Sequence, residues 1–200
     1  SDLQLEAIAF FNDYDNLLGA DTAAGGGTGT GDQYNGGAVN AYGFELGAKY
    51  DLAKLTSGDN GLKYPVALAY TFTNAEFRSS FESDLDQWGT VTKGDKLTYL
   101  PEHQLYLSLG IESKKWLVSA AAKYISEMRT EAGSGSISYG SGVEDHVVVD
   151  VTGEYEIAKS ATLFATVYNI FDKEYMVSRL PAGARPGAPL SLISGLKFKF

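Results

Sequence analysis

The stretch LSLISGLKFKF, Leu190 to Phe200, decides how this chain is read. Leu190, Leu192, Leu196, Phe198 and Phe200 share one parity, and Ser191, Lys197 and Lys199 share the other. An extended backbone therefore presents apolar groups on one face and charge on the opposite one. A soluble sandwich strand also alternates, but it seldom sets two lysines two residues apart on a strand that ends in a bare aromatic. A strand with lipid on one side and water on the other does so naturally. The stretch predicts the closing strand of an outer-membrane barrel, and the rest of the chain is the test.

Working outward, the same two-residue period returns seven times. Leu3, Leu5, Ala7, Ala9 and Phe11 oppose Gln4 and Glu6; Phe44, Leu46, Ala48 and Tyr50 oppose Glu45, Gly47 and Lys49; Val66, Leu68, Tyr70 and Phe72 oppose Ala67, Ala69, Thr71 and Thr73. Leu105 to Ile111 and Trp116 to Tyr124 follow, separated by a tight turn at Ser113 and Lys114. Val147 to Ile157 and Leu163 to Val167 complete the set. The connections alternate between long polar loops and mostly short turns, and the apolar segments run about 9 to 11 residues, the length a tilted strand needs to cross hydrocarbon. Aromatics gather at strand ends: Tyr50, Tyr64, Trp116, Tyr155 and Phe200 towards the turns, and Phe11, Phe72, Tyr124 and Phe171 towards the loops. These read as two interfacial girdles. The loop from about Leu17 to Gly37, made of Gly, Thr, Ala and Asp, is expected to sit in water without burying a core, and Asn74 to Pro101 is expected to be a second polar excursion.

Composition agrees. A mean hydropathy of -0.13 is far too polar for a helical membrane protein, and no apolar run approaches the roughly 18 residues of a spanning helix. A formal net charge of -9 argues against a nucleic-acid partner. The chain has no Cys, in keeping with an oxidising compartment. Glu6, Glu45, Lys49, Glu112, Lys123, Asp150, Glu154, Glu156, Lys197 and Lys199 all fall on the inner parity. A packed interior would not tolerate them, so they call for a wet lumen wider than that of a small barrel.

At Val167 to Tyr175 the chain reads VYNIFDKEY, followed by GARPGAP at Gly183 to Pro189 and the terminal aromatic. These segments resemble the carboxyl end of TonB-dependent outer-membrane receptors. NDYDNLLGADTA at Asn12 to Ala23, GTGTGDQYNGG ending at Gly37, AYTFTNAEF at Ala69 to Phe77, YLPEHQL at Tyr99 to Leu105 and EMRT at Glu127 to Thr130 look like the ferric dicitrate type of that family. The resemblance implies an all-β antiparallel transmembrane β-barrel of 22 strands, of which residues 1 to 200 would be the last eight, with the plug domain and its TonB-contacting segment absent from this sequence. It implies a receptor in the outer membrane of a Gram-negative bacterium that takes up a ferric chelate, citrate-like, and works with the TonB complex through the plug. Its other partners would be the remaining strands, the plug, and lipopolysaccharide and outer-membrane lipid. No reaction is catalysed and no cofactor is held, iron entering only as part of the chelate. Two departures stand: Leu190 occupies a position where the family often carries a basic residue, and Ile193 stands where the barrel-assembly signal has a polar one. A complete eight-stranded barrel with a structural or adhesive role is the alternative.

All four arginines, Arg78, Arg129, Arg179 and Arg185, fall towards the loops and none towards the turns. A planar guanidinium holds carboxylate-rich chelates bidentately, so these four are the candidate ligand-binding residues. Arg129 leads because it keeps the inward parity of Lys123, followed by Arg185 and Arg179. The competing reading pairs them with acids such as Asp84, Asp86 and Asp172, or with lipopolysaccharide phosphates. His103 and His146 begin strands at the loop end, without the spacing of a metal site. Asp13, Asp15 and Asn16 lack the glycine and terminal glutamate of a calcium loop. The Gly25 to Gly31 run lacks the Lys-Ser/Thr pair of a phosphate loop and reads as a flexible segment. No nucleophile is set beside Asp145 and His146, and no catalytic residue is expected. Asn169 carries lipid-facing parity between Val167 and Phe171, which requires either that it clears the hydrocarbon or that a bulge resets the register.

Overall fold

The computed structural model describes residues 3–20, 29–55, 61–85, 87–180 and 183–199. Eight long strands form one antiparallel sheet in simple meander order. They are β1 (Gln4–Tyr14), β2 (Val39–Asp51), β3 (Pro65–Phe77), β4 (His103–Glu112), β5 (Trp116–Ile125), β6 (His146–Ala158), β7 (Ala161–Tyr168) and β8 (Ser191–Phe198). Among the described residues β1 and β8 are the two edges of this sheet rather than neighbours, so it is an open wall and not a closed eight-stranded barrel.

Register carries the alternation across the whole wall, because residues opposite one another in a ladder share a face. One row runs Ala7, Leu46, Tyr70, Leu105, Tyr124 and Val147, and another joins Trp116, Tyr155, Leu163 and Leu196. The apolar parity of each strand thus becomes one continuous apolar face. Among the described residues no second layer lies upon it: Leu105 is 36% exposed and Leu109 50%, values that rule out a sandwich, in which such leucines would be buried.

The opposite face gathers the charges. Lys197 Nζ lies 2.5 Å from Glu154 Oε1 and 5.1 Å above the Phe164 ring, Lys123 Nζ donates to Asp150 Oδ2 at 2.9 Å, and the Thr152 and Thr166 hydroxyls meet at 3.0 Å. At one end the chain turns sharply at Ser113 and at Lys159–Ser160, or through a 3-10 turn over Leu52–Leu55. At the other end each long loop makes its own two-stranded ribbon, pairing Leu18–Ala20 with Gln33–Asn35, Phe81–Glu82 with Thr90–Val91, Met128–Arg129 with Gly142–Val143, and Met176–Ser178 with Arg185–Pro186.

The buried core is found among these loops rather than beneath the sheet. Val39, Phe77, Leu85, Trp88 and Val91 are buried together, with Leu17, Tyr34, Phe81, Leu97 and Ala132 packed around them. Trp88 meets Phe77 and Phe81 edge-on at 6.0 and 5.8 Å. A Cβ on Gly36 would come within 2.5 Å of the Trp88 ring, so only glycine lets the first loop close on the indole. This corrects two expectations. The Leu17 to Gly37 loop is not wholly solvated, and the Asn74 to Pro101 excursion carries the apolar centre that holds it. Residues 21–28 of the first loop, with most of its glycine run, residues 56–60 between β2 and β3, Asp86 and Phe200 lie outside the described residues.

Candidate functional site

The loop end is where the chemistry collects. After β5 the chain makes Met128–Arg129 and pairs with Gly142–Val143 in the same register as β5 with β6, so the wall continues above its apolar band. Tyr99 N–H donates to the Arg129 carbonyl at 2.8 Å, Lys96 N–H to the Gly133 carbonyl at 2.9 Å, and Ala132 N–H to the Gln87 carbonyl at 3.0 Å. The third loop is therefore stitched to the second, and through it to the Trp88 core.

A cavity of about 460 Å³ opens here, lined among others by Lys96, Glu102, His103, Glu127, Arg129 and Asp145. Two cations and three carboxylates face the same space, and Lys96 is ion-paired with Glu102. The Arg129 guanidinium donates to the Gly135 carbonyl. Arg179 lines an adjoining cavity of about 230 Å³ that shares Glu127 and Ile137 with the first, and its Nε donates to the Gly142 carbonyl at 2.9 Å. Tyr99 stands between the two arginines. Its backbone is left-handed at a φ of 54°, a strained state for a bulky residue, and its hydroxyl is buried without a hydrogen bond of normal geometry. Burial pushes the phenol above its ordinary range, opposed by the neighbouring Arg179 backbone and Ser178 hydroxyl.

The structure thus brings two of the four candidate arginines together and separates the others. Arg78 Nη2 lies 2.5 Å from Asp13 and 3.0 Å from Asp15, which also occupies the carboxylates considered for calcium. Asp13 and Asp15 replace the acids expected as its partners; Asp172 instead accepts from Leu190 N–H at 3.0 Å. Arg185 is exposed on the last loop's ribbon, with no ion pair among the described residues.

The VYNIFDKEY stretch shows why it is spelled as it is. β7 stops at Tyr168, and Asn169 turns left-handed at a φ of 49° and is only 2% exposed. Its amide donates to the Lys173 and Ala188 carbonyls at 3.0 Å each, its Oδ1 accepts from Lys173 N–H at 2.9 Å, and its own N–H reaches Asp150 Oδ1 at 3.0 Å. Strand termination, then, explains the parity of Asn169. Tyr175 stacks on His146 with centroids 4.6 Å apart, and a Cβ on Gly187 would come within 2.0 Å of the Tyr175 ring. His146, Asn169 and Tyr175 line a further cavity of about 450 Å³ with Lys123 and Tyr168. His103 Nδ1 pairs with the Tyr70 hydroxyl at 2.8 Å. Among the described residues no three His, Asp or Glu side chains gather as metal ligands would. Sequence reasoning missed Tyr99 and the role of Asn169; the Asn in VYNIF was a visible signal, the buried phenol was not.

A sequence model of the TonB-dependent receptor-like β-barrel matches residues 1–170. The chain belongs to this family. No curated protein sequence matches it. Among solved structures it resembles the ferric citrate transporter FecA in its unliganded form, with 20% identity over 98% of this chain and 29% of that one and a TM-score of 0.72. It also resembles the ferric-catecholate import receptor Fiu of E. coli K12, with 22% identity, 100% and 25% coverage and a TM-score of 0.68. The copper transporter OprC gives 17% identity, 100% and 28% coverage and a TM-score of 0.67. At these identities the likeness is one of fold. This TonB-dependent receptor chain spans between a quarter and a third of the length of those structures.

Proposed function

We propose that residues 1–200 are the carboxyl-terminal part of the barrel of a TonB-dependent outer-membrane receptor for a ferric chelate, the narrower reading being a ferric-citrate-like one. The strand edges at β1 and β8 have no place in lipid unless other strands pair with them, which supports a barrel completed by further strands, 22 in all by the family resemblance. The plug, and through it the TonB complex of a Gram-negative cell, would then be partners, together with lipopolysaccharide and outer-membrane lipid. The receptor catalyses no reaction, and iron is cargo within the chelate.

The observation that carries this reading is the pairing of Arg129 and Arg179 around adjoining cavities at the loop end of a two-faced wall. Each guanidinium spends one donor on a backbone carbonyl and keeps others for carboxylate oxygens. Binding of ferric citrate to the full-length receptor tests it. Arg129→Ala or Arg179→Ala should weaken affinity about tenfold or more, and unchanged affinity in both would remove the arginine cup. Glu102, Glu127 and Asp145 favour a second reading, a neutral or cationic ferric chelate. Tight binding of a ferric hydroxamate with no binding of ferric citrate would establish it.

A further inference from the structure

The turn end carries a feature that chelate uptake does not use. Trp116 and Tyr155 pair in register on the apolar face, 37% and 49% exposed, and the same row continues through Leu163 and Leu196. Phe198 opposite Ala161 and the exposed Ile157 extend it towards the turns. Just beyond this strip two hairpin turns and the end of β8 meet. Glu156 N–H donates to the Lys115 carbonyl at 2.7 Å, and Lys199 N–H to the Ser160 carbonyl at 3.0 Å. Lys114, Lys115, Lys159 and Lys199 are thereby drawn into one exposed cluster. None of the four has an ion-pair partner among the described residues, whereas Lys63 is held by Glu112 and Lys197 by Glu154.

Lys114 and Lys115 stand at the centre of the turn that Ser113 N–H closes on the Trp116 carbonyl, Lys159 stands in the turn between β6 and β7, and Lys199 directly follows β8, so all four lie past the ends of the strands. An apolar strip ending in an aromatic pair with four unpaired ammonium groups past its rim is complementary to an amphiphile whose tails are apolar and whose headgroup is anionic.

We propose that the turn end of β5 to β8 binds an anionic glycerophospholipid of the adjacent leaflet, its acyl chains along Trp116, Tyr155, Leu163 and Leu196 and its phosphate within the cluster of Lys114, Lys115, Lys159 and Lys199. This rests on the membrane-wall reading and not on the identity of any chelate. The site anchors that end of the wall at the headgroup level, and its hold weakens with salt as exposed charges are screened.

The full-length receptor, purified in mild detergent with phosphatidylglycerol or phosphatidylcholine added, tests the proposal by native mass spectrometry. Phosphatidylglycerol is expected to remain bound where phosphatidylcholine is lost. The quadruple variant Lys114→Gln/Lys115→Gln/Lys159→Gln/Lys199→Gln should reduce that retention about tenfold or more, and Lys93→Gln/Lys173→Gln, at exposed lysines of the loop end, should leave it near the parent's. Equal retention of the two lipids, or equal loss in both variants, would overturn the assignment. Melting temperature in phosphatidylglycerol against phosphatidylcholine nanodiscs gives a second readout that should follow the same order. Failure of the membrane reading itself would appear earlier and separately, as a receptor that does not enter nanodiscs at all.

Discussion

Asn169 shows how much one residue settles at the loop end. It ends β7, adopts a left-handed backbone that asparagine tolerates better than most residues, and closes the last loop with three side-chain hydrogen bonds. Asn169→Ala leaves two carbonyls and one N–H without partners, a cost of about 2 kcal/mol or more. Faster hydrogen exchange at Lys173 and greater protease access to residues 173–190 in the full receptor should report it. Tyr99 makes a second residue-scale prediction. Burial raises its phenol above the ordinary 10.0, so the folded loop keeps a proton that the unfolded loop releases first. Its stabilising effect is complete below pH 10 and is lost as pH rises through the folded value. The stability of the loop end should therefore fall as pH rises above about 10, measured as protease susceptibility of residues 130–142, and Tyr99→Phe should flatten that fall.

At the scale of elements, each strand's two faces answer to different solvents. Leu107 lies opposite Leu68 and Ala122 on the apolar face, and its neighbour Ser108 lies opposite Ala67 and Ala121 on the other. Leu107→Lys should destabilise the folded receptor by about 2 to 4 kcal/mol near the bilayer midplane, while Ser108→Lys should be mild. Equal effects in a urea-unfolding series in lipid vesicles would contradict the faces. The loops behave as elements of another kind, since the Trp88 cluster joins two of them into one packed body. Trp88→Ala should cost about 3 kcal/mol or more in that body and expose residues 15–38 and 78–97 together to protease, leaving the strands protected. Cleavage confined to one loop would show that they do not fold as a unit.

For the whole molecule, the position of the bilayer follows from its two tryptophans. Trp116 sits exposed on the apolar face near the turns, and Trp88 is buried among the loops. Lipids with brominated acyl chains should quench emission that is lost in Trp116→Phe and spare emission that is lost in Trp88→Phe. The reverse pattern would move the bilayer off the wall. Legibility in the sequence followed the same division of the molecule. The strands could be read because alternation is a local property and register merely repeats it, as Leu105, Leu107 and Leu109 show. The arginines could be seen gathering at one end, but nothing local said that Arg78 would be taken by Asp13 and Asp15, residues more than sixty positions away.

The period-two pattern was thus enough for the strands, the two faces, the order of long and short connections and the family likeness, since each depends on residues near one another in the chain. Only the fold in three dimensions decided which arginines stand together, where the apolar core lies, why Asn169 has its place and which lysines are left unpaired. Those outcomes depend on contacts between loops distant in sequence, whose partners are chosen by packing and hydrogen-bond closure that no local periodicity encodes.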